Sequence, residues 1–263
     1  RALVGAQESA LRTASEAQTV ATANLVVATT SHEKEALVRY YNADPQRVEI
    51  IPCGVDLDLF RPMDREAARR ELGLDGQFTL LFVGRIEPLK GVDILLQAAA
   101  ALKEDVQVLI IGGEAANAEM RRLKKLSAEL GLADQTKFLG PAPHELLPTY
   151  YNAADVLVIP SYYESFGLVA TEALACGTPV VASKVGGLPS VIRDGETGYL
   201  ISYRCPDTFA ERLEVLAGNP LLRQSLGSRA RPSVQRLGWG VIAPRMAQLY
   251  TSLKPALALV EAC

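Results

Sequence analysis

Two acids and two basic residues in this sequence have the types and spacing needed to bind hydroxyl groups and a diphosphate. Glu164 and Glu172 are separated by seven residues, and Arg85 and Lys90 occur together in the segment VGRIEPLKG. Carboxylates accept hydrogen bonds from the hydroxyl groups of sugars and riboses. Neighbouring cations suit a diphosphate and stabilise the charge that it gains on leaving. For any of the four alone, an exposed surface side chain is the competing interpretation.

The segment around the two acids predicts a strand, a loop, a helix and a second strand. Residues 156–159 have the length and β-branched content of a buried strand, and residues 180–182 have the same character. Between them, residues 168–176 are rich in helix formers, and Gly177 is placed to end that helix. The acids therefore lie in the loop and in the first turns of a helix that connects two strands.

The start of this helix is a predicted phosphate site. The first N–H groups of a helix have no partner within it and carry the positive end of its dipole. The backbone of Phe166, Gly167 and Leu168 could therefore hold a phosphate, and Gly167 would allow its close approach. Glu164 and Glu172 suit the hydroxyl groups on either side of that phosphate.

Apolar runs and helical segments alternate from residue 64 onward, which predicts an α/β fold with a doubly wound, mainly parallel sheet. We expect strands at residues 78–83, 106–111, 136–139, 156–159, 180–182 and 199–201. Ligands bind such sheets at the carboxyl ends of the strands. The unusual residues follow strand ends, so we expect them to gather at one edge: Gly84-Arg85, Gly112-Gly113, Glu164 and 183–187. The sequence contains neither GxxxxGK[ST] nor GxGxxG, so a P-loop and a dinucleotide fingerprint are unsupported.

The first fifty residues predict part of another α/β unit. We expect a helix within residues 1–22, strands at 24–28 and 48–51, and a helix opened by a capping box from Thr30 to Glu33. The chain begins with Arg1 rather than Met, so we expect the N-terminal part of a longer protein to be missing.

Composition narrows the classes of partner. The 263 residues are 49% apolar and 22% charged, with a net charge of −3, as in soluble globular proteins of one large or two small domains. With no general basic surface, nucleic acid is not an expected partner. We find neither a membrane-spanning apolar run nor a signal-peptide pattern, so a cytoplasmic location is the expectation.

Metal and histidine chemistry have little support in the sequence. The cysteines lack metal-ligand spacing and are expected to be reduced thiols: Cys53, Cys176, Cys205 and Cys263. His32 and His144 both lie far along the chain from the two acids. Asp56 and Asp58 have the spacing of a metal-binding DxD, but without helper acids we expect them to cap and position a loop.

The stretch ESFGLVATEALACGTPVVAS closely resembles the donor-site signature of retaining glycosyltransferases of family 4, which have the GT-B fold of two Rossmann-like domains. The resemblance covers nearly the whole chain. It implies that residues 1–52 are the end of the acceptor-side domain and 53–63 an interdomain linker. Residues 64–235 would form the donor domain, and 236–263 a helix returning to the first domain.

The resemblance also implies an activity and a set of site residues. The family transfers a sugar from a nucleotide-sugar, here a UDP-, GDP- or ADP-sugar, to an acceptor hydroxyl without a metal or other cofactor. Glu164, Arg85 and Lys90 would be catalytic. The donor-binding set implied by the family is Gly84, Arg85, Lys90, Phe138, Gly140, Glu164, Ser165, Phe166, Gly167, Leu168 and Glu172. Within it, Glu172 would bind the ribose, Glu164 the donor sugar, and the backbone from Phe138 to Gly140 would border the base.

The acceptor side is implied by two further stretches. ATTSHE and YNADPQRVEIIPCGVDLDLF resemble members that use phosphorylated acceptors, the group of the sucrose-phosphate synthases and the mycothiol-type glycosyltransferases. Thr30 and Arg47 are the candidates for holding that phosphate, although a helix cap and a surface residue are the competing interpretations. Peripheral membrane contact through the missing domain is compatible with this resemblance.

The sequence departs from the family pattern at two positions, and two alternative functions stay open. Many family members have Glu at the position of Ser190 and Arg near Ala142, and the lack of that Arg leaves the nucleotide base undetermined. A nucleotide-sugar epimerase of the same fold would bind a similar donor. A non-catalytic nucleotide-sugar binding module is the other alternative.

Overall fold

The computed structural model describes residues 10–114, 118–202 and 205–253. Its helices are α1 Ala10–Thr22, α2 Ser31–Tyr41, α3 Arg65–Glu71, α4 Val92–Ala100, α5 Ala118–Glu129, α6 Leu147–Ala153, α7 Leu168–Ala175, α8 Leu188–Val191, α9 Pro206–Ala217, α10 Pro220–Val234 and α11 Trp239–Leu253. Its strands are β1 Val26–Ala28, β2 Val48–Ile50, β3 Phe78–Val83, β4 Val106–Ile111, β5 Thr136–Gly140, β6 Val156–Ile159, β7 Val180–Ser183 and β8 Gly198–Ile201.

Six of these strands form one parallel sheet in the order β5-β4-β3-β6-β7-β8. The predicted doubly wound sheet is therefore confirmed, and each of its strands lies within one residue of the predicted bounds. Chain order reverses between β3 and β6, because β4 and β5 extend the sheet in one direction and β7 and β8 in the other. In open α/β sheets this switch point is where loops diverge and leave a crevice.

Helices cover both faces of the large sheet, which is why its strands are continuous apolar runs. Along β3, Leu80 and Phe82 belong to the core on one face, with α4 and α9. Leu81 belongs to the core on the other face, with α6 and α7. On α9, the apolar stripe of Phe209, Leu213 and Leu216 is fully buried.

The N-terminal residues form a smaller parallel pair, β1 and β2, which packs with α2. Both strands are three residues long, shorter than predicted. The predicted cap at α2 is present, since the Thr30 hydroxyl accepts a hydrogen bond from the Glu33 N–H. The Glu33 carboxylate in turn accepts hydrogen bonds from the N–H and hydroxyl of Thr29, one residue earlier than a capping box requires.

Residues 53–63 cross the returning C-terminal chain. The Val55 N–H donates to the Leu237 carbonyl, and the Trp239 N–H donates to the Val55 carbonyl. The Trp239 ring lies against Gly54, where a Cβ would collide with it, yet 54% of the residue is exposed. The contact of Trp239 with residues 53–63 thus accounts for only part of its surface.

Parts of some predicted segments lie outside the described residues. These parts are 1–9, 115–117 and 254–263. Within the described part, none of the helices combines the length and apolar composition needed to cross a bilayer.

Candidate active site

Lys90 and Glu164 meet at the switch point of the sheet. The Lys90 ammonium lies 2.5 Å from the Glu164 carboxylate, and only 18% and 12% of the two side chains are exposed. The same carboxylate oxygen accepts a hydrogen bond from the Ser161 hydroxyl at 3.0 Å. These two partners fix the orientation of the acid.

Loop packing brings this pair together across 74 residues of chain. Lys90 ends a short 3-10 helix, Pro88–Lys90, which follows β3. The Tyr162 N–H, in the loop after β6, donates to the Leu89 carbonyl at 2.8 Å. Gly91 has a φ of 65° and lies so close to the Pro160 carbonyl that a Cβ would collide with it. A larger residue at 91 would therefore push the two loops apart.

A cavity of about 190 Å³ opens beside the ion pair. Its lining includes the residues at the start of α7, from Ser165 to Val169, together with Gly84. The start of α7 and the Lys90 side chain thus line one cavity, and the phosphate site at this helix start stays a prediction. Cys53, assigned by sequence only to a linker, also lines this cavity. Burial, and secondarily the Glu33 charge, raises the pKa of its thiol.

The loop after β7 packs onto the loop that carries Glu164. The Gly187 N–H donates to the Glu164 carbonyl at 2.9 Å. Gly186, with a φ of 52°, also lies against the Glu164 backbone, which leaves no room for a Cβ. On its other side, Gly187 lies against the Thr30 side chain, so the N-terminal unit reaches this edge as well.

Glu172 is held from two sides. One carboxylate oxygen accepts a hydrogen bond from the buried Tyr151 hydroxyl at 2.7 Å, and the other lies 3.7 Å from His144 Nε2. Burial raises the pKa of Glu172, although Tyr151 and His144 act in the opposite direction. His144 is far from Glu172 in the chain, so no sequence pattern links the two.

Arg85 and the predicted base-binding residues lie further from the ion pair. Arg85 is exposed, pairs with Glu87 at 2.7 Å, and is not among the residues that line the Lys90 cavity. The Phe138 side chain packs partly against the core, and the Lys124 ammonium lies 5.8 Å from its ring centroid. Gly140 ends β5 with a φ of 72°, and its carbonyl accepts from the Gly112 N–H at 2.7 Å.

The two candidate acceptor residues make contacts within the N-terminal unit. Thr30 is buried and caps α2, while Arg47 Nε donates to the Asn24 carbonyl at 3.3 Å. Asp56 accepts hydrogen bonds from the N–H groups of Asp58 and Leu59, which is the capping geometry expected there.

A larger cavity, of about 860 Å³, lies near the opposite edge of the sheet, around Asp155, Arg65 and Arg223. Its arginines are occupied by structural contacts. Arg231, for example, donates to the carbonyls of Leu57, Phe60 and Ala175. The parallel sheet places ligand chemistry at the other edge, so we assign the site to the smaller cavity.

Fold and site together define a Rossmann-like α/β protein with a cleft at its topological switch point that holds the Lys90–Glu164 ion pair. Residues 64–232 match the family model described as glycosyl transferases group 1, and residues 5–59 match the model of glycosyltransferase family 4. The first match covers more than half of the chain. The chain therefore belongs to the glycosyl transferases group 1 family, and the family resemblance found in the sequence is confirmed.

Relatives and solved structures agree with this assignment. A D-inositol 3-phosphate glycosyltransferase of Thermomonospora curvata is 45% identical over 94% of this chain and 61% of its own length. One of Streptomyces bingchenggensis is 45% identical over 92% of this chain and 56% of its own length. This chain thus spans about 60% of the length of the curated relatives it matches.

Two solved structures share the fold closely. Sucrose-phosphate synthase from Thermosynechococcus elongatus has a TM-score of 0.88 and 37% identity, over 94% of this chain and 62% of that one. HepE of Anabaena, solved in complex with UDP and glucose, has a TM-score of 0.87 and 25% identity, over 94% of this chain and 68% of that one. The predicted fold class is confirmed by these neighbours.

Proposed function

We propose that this chain carries the donor site of a retaining glycosyltransferase, which transfers a sugar from a nucleotide-sugar to an acceptor hydroxyl. Family membership and the names of the relatives support this activity. The complexes of HepE with UDP and with UDP-glucose support a nucleotide-sugar as donor. An epimerase or a pure binding module finds no such support among the relatives described above.

One observation carries the proposal: Lys90 and Glu164 meet at the switch point, beside the first turn of α7. A diphosphate in this cavity would lie between the Lys90 ammonium and the N–H groups of Phe166, Gly167 and Leu168. The ammonium and the N–H groups at the start of the helix would stabilise the negative charge that a nucleoside diphosphate gains when the sugar leaves. Glu164 would accept hydrogen bonds from the sugar hydroxyls.

The remaining donor contacts surround this centre. Arg85 would add a second cation from the exposed loop after β3, if its side chain turned from Glu87 to the phosphates. Glu172 would accept hydrogen bonds from the ribose, and the backbone between Phe138 and Gly140 would border the base. Ser165 and Gly84 would complete the wall of the phosphate site.

The contacts of Glu164 favour one mechanism of retention. One Glu164 oxygen is bound by Lys90 and Ser161, and we propose that the acid holds the sugar hydroxyls, so no residue of the site is assigned as a covalent nucleophile. We therefore propose that the acceptor attacks the same face from which the diphosphate leaves, within an ion pair. With Lys90 and Arg85 supplying the positive charge, we propose that no metal is required.

The acceptor of the whole protein is proposed to be a phosphorylated small molecule. The relatives named above act on D-inositol 3-phosphate, according to their names. Thr30 lies against Gly187, next to the loop of Glu164, which supports its place at the acceptor side of the cleft. Arg47 would need to exchange its contact with the Asn24 carbonyl for the phosphate.

The test is a donor and acceptor screen on the full-length protein. UDP-, GDP- and ADP-glucose would each be incubated with D-inositol 3-phosphate or with unphosphorylated inositol, in buffer containing EDTA, and the products identified by mass spectrometry and NMR. We expect an α-linked glycoside from the phosphorylated acceptor. A changed nucleotide-sugar without transfer, or a strict magnesium requirement, would contradict the proposal.

Arg47 offers a separate test of the acceptor. Arg47→Ala should raise the apparent Michaelis constant for the phosphorylated acceptor about tenfold or more, since a charge-assisted contact is lost, and leave donor binding unchanged. Arg39→Ala, an exposed change on α2, is the matched control. An effect on donor affinity alone would remove Arg47 from the acceptor site.

The cytoplasmic location and the boundaries of the two domains stay predictions.

A further inference from the structure

His144 lies beside the proposed ribose-binding acid. Its Nε2 is 3.7 Å from one oxygen of Glu172, while the other oxygen is bound by Tyr151. The Tyr151 side chain is fully buried, whereas 56% of the His144 side chain is exposed. Glu172 therefore has a buried partner on one oxygen and a largely exposed neighbour beside the other.

The Phe60 ring packs against the His144 imidazole. The rings of Phe60 and His144 are 5.0 Å apart and nearly perpendicular, at 77°. Phe60 also contacts Tyr151, at 5.9 Å between ring centroids, and is buried. Edge-to-face contacts of this kind favour one ring orientation. Phe60 thus supports both groups that flank Glu172, although it belongs to residues 53–63.

We infer that His144 is a positioning residue for the nucleotide, which orients the Glu172 oxygen that faces it for the ribose hydroxyls. This inference rests on the proposed function, because it assigns a role toward the same nucleotide. In the nucleotide-bound state, the 3.7 Å distance between His144 Nε2 and the Glu172 oxygen would shorten, and Nε2 would donate a hydrogen bond to the carboxylate. A charged acceptor binds a vicinal diol more strongly than a neutral acid does.

The electrostatic surroundings of Glu172 favour this role. Three titratable groups face it: Tyr151 from α6, His144 from the turn before α6, and Cys176 from the end of α7. Burial raises the pKa of Tyr151, and it raises the pKa of Cys176 to about 12, so both stay neutral near pH 7. Of these three groups, His144 lies against the second oxygen of Glu172, and its contact lowers the pKa of Glu172 against the burial that raises it.

The test compares His144→Ala, His144→Gln and the matched control Glu145→Ala, an exposed change in the same turn. Binding of UDP and of 2′-deoxy-UDP to the 263-residue chain would be measured by calorimetry from pH 5 to 8. We expect His144→Ala to weaken UDP about tenfold at pH 7 and 2′-deoxy-UDP less. His144→Gln, which keeps an N–H donor of similar reach, should restore most of the affinity.

The pH profile separates positioning from simple packing. Without His144, the pKa of Glu172 should rise further. As the pH is lowered from 8, the variant should therefore lose UDP affinity at a higher pH than the wild-type chain does. A ¹³C NMR titration of the Glu172 carboxyl should show the same shift without any nucleotide. The inference about His144 would be overturned, and the proposed function left standing, by either of two results. One is an equal loss of affinity for UDP and 2′-deoxy-UDP with an unchanged pH profile, and the other is no loss of affinity. If the wild-type chain bound none of UDP, GDP and ADP, the proposed function would fail with it.

Discussion

The Lys90 ammonium and the Glu164 carboxylate form a largely buried ion pair between the loops that follow β3 and β6. These strands are neighbours in the sheet although more than seventy residues separate the two side chains. In the proposed donor complex, we expect Lys90 to contact the phosphates and Glu164 to contact the sugar hydroxyls. This contact is the basis of the first prediction.

Lys90→Ala should weaken UDP binding about 10- to 100-fold and uridine binding little, because charge-assisted contacts to phosphate are lost. Arg85→Ala should have the same selectivity but a smaller effect, since Arg85 is 72% exposed and solvent screens its charge. Lys103→Ala, an exposed change before β4, is the control. Equal losses for UDP and uridine would show that Lys90 and Arg85 are structural.

Glu172→Gln should stabilise the protein at neutral pH by about 1 kcal/mol, because an amide avoids the cost of burying a charge. Burial raises the folded-state pKa of Glu172 above its unfolded value of about 4.5. The folded state therefore binds the proton more tightly, and the wild type loses this contribution as pH rises from about 4.5 through the raised pKa. Thermal unfolding from pH 4 to 8 should show a difference between variant and wild type that grows with pH. A constant difference would contradict the assigned shift.

The same Glu172→Gln variant should bind UDP about tenfold more weakly, since an amide is a poorer acceptor for the ribose diol. 2′-Deoxy-UDP should lose less, and calorimetry would give both affinities. Glu129→Gln, an exposed change at the end of α5, is the control. If both nucleotides lost affinity equally, the ribose assignment of Glu172 would be wrong.

Asp155→Asn should destabilise the fold by about 3–5 kcal/mol, because it removes the charge that three arginines share in a buried site. Arg65, Arg223 and Arg69 lie 2.6, 2.9 and 3.6 Å from the Asp155 carboxylate. Urea unfolding measures the loss, and Asp134→Asn on the surface is the matched control. UDP affinity of the folded variant should be unchanged, since Asp155 lies at the opposite edge of the sheet. A loss below about 1 kcal/mol would show that Asp155 does not stabilise the arginine cluster.

Cys53 should be protected from alkylation by UDP, because its thiol lines the cavity of Lys90. Labelling with iodoacetamide should be slow even without UDP, since burial raises the pKa of Cys53 and the thiolate is the reactive form. Peptide mass spectrometry would follow Cys53, with Cys205 at the start of α9 as an internal control. Equal labelling of Cys53 with and without UDP would place the nucleotide elsewhere.

Local patterns were enough to predict the elements of the large sheet. Buried parallel strands are apolar on both faces, and Gly177 marks the end of the helix between β6 and β7. The strand-end rule also predicted that Gly84 and Glu164 reach one edge. The family resemblance supplied the candidate roles, which residue spacing alone could not assign.

Contacts between distant segments were decided only by the tertiary structure. No local pattern links Tyr151 and His144 to Glu172, or Cys53 to Lys90, because such contacts depend on strand order and on how loops pack. Gly91 and Gly186 permit that packing through close backbone approaches that a sequence pattern does not specify. The sequence by itself thus determined the elements and the chemical groups of this protein. The tertiary structure alone determined which groups share a site, because only folding brings separated loops into contact.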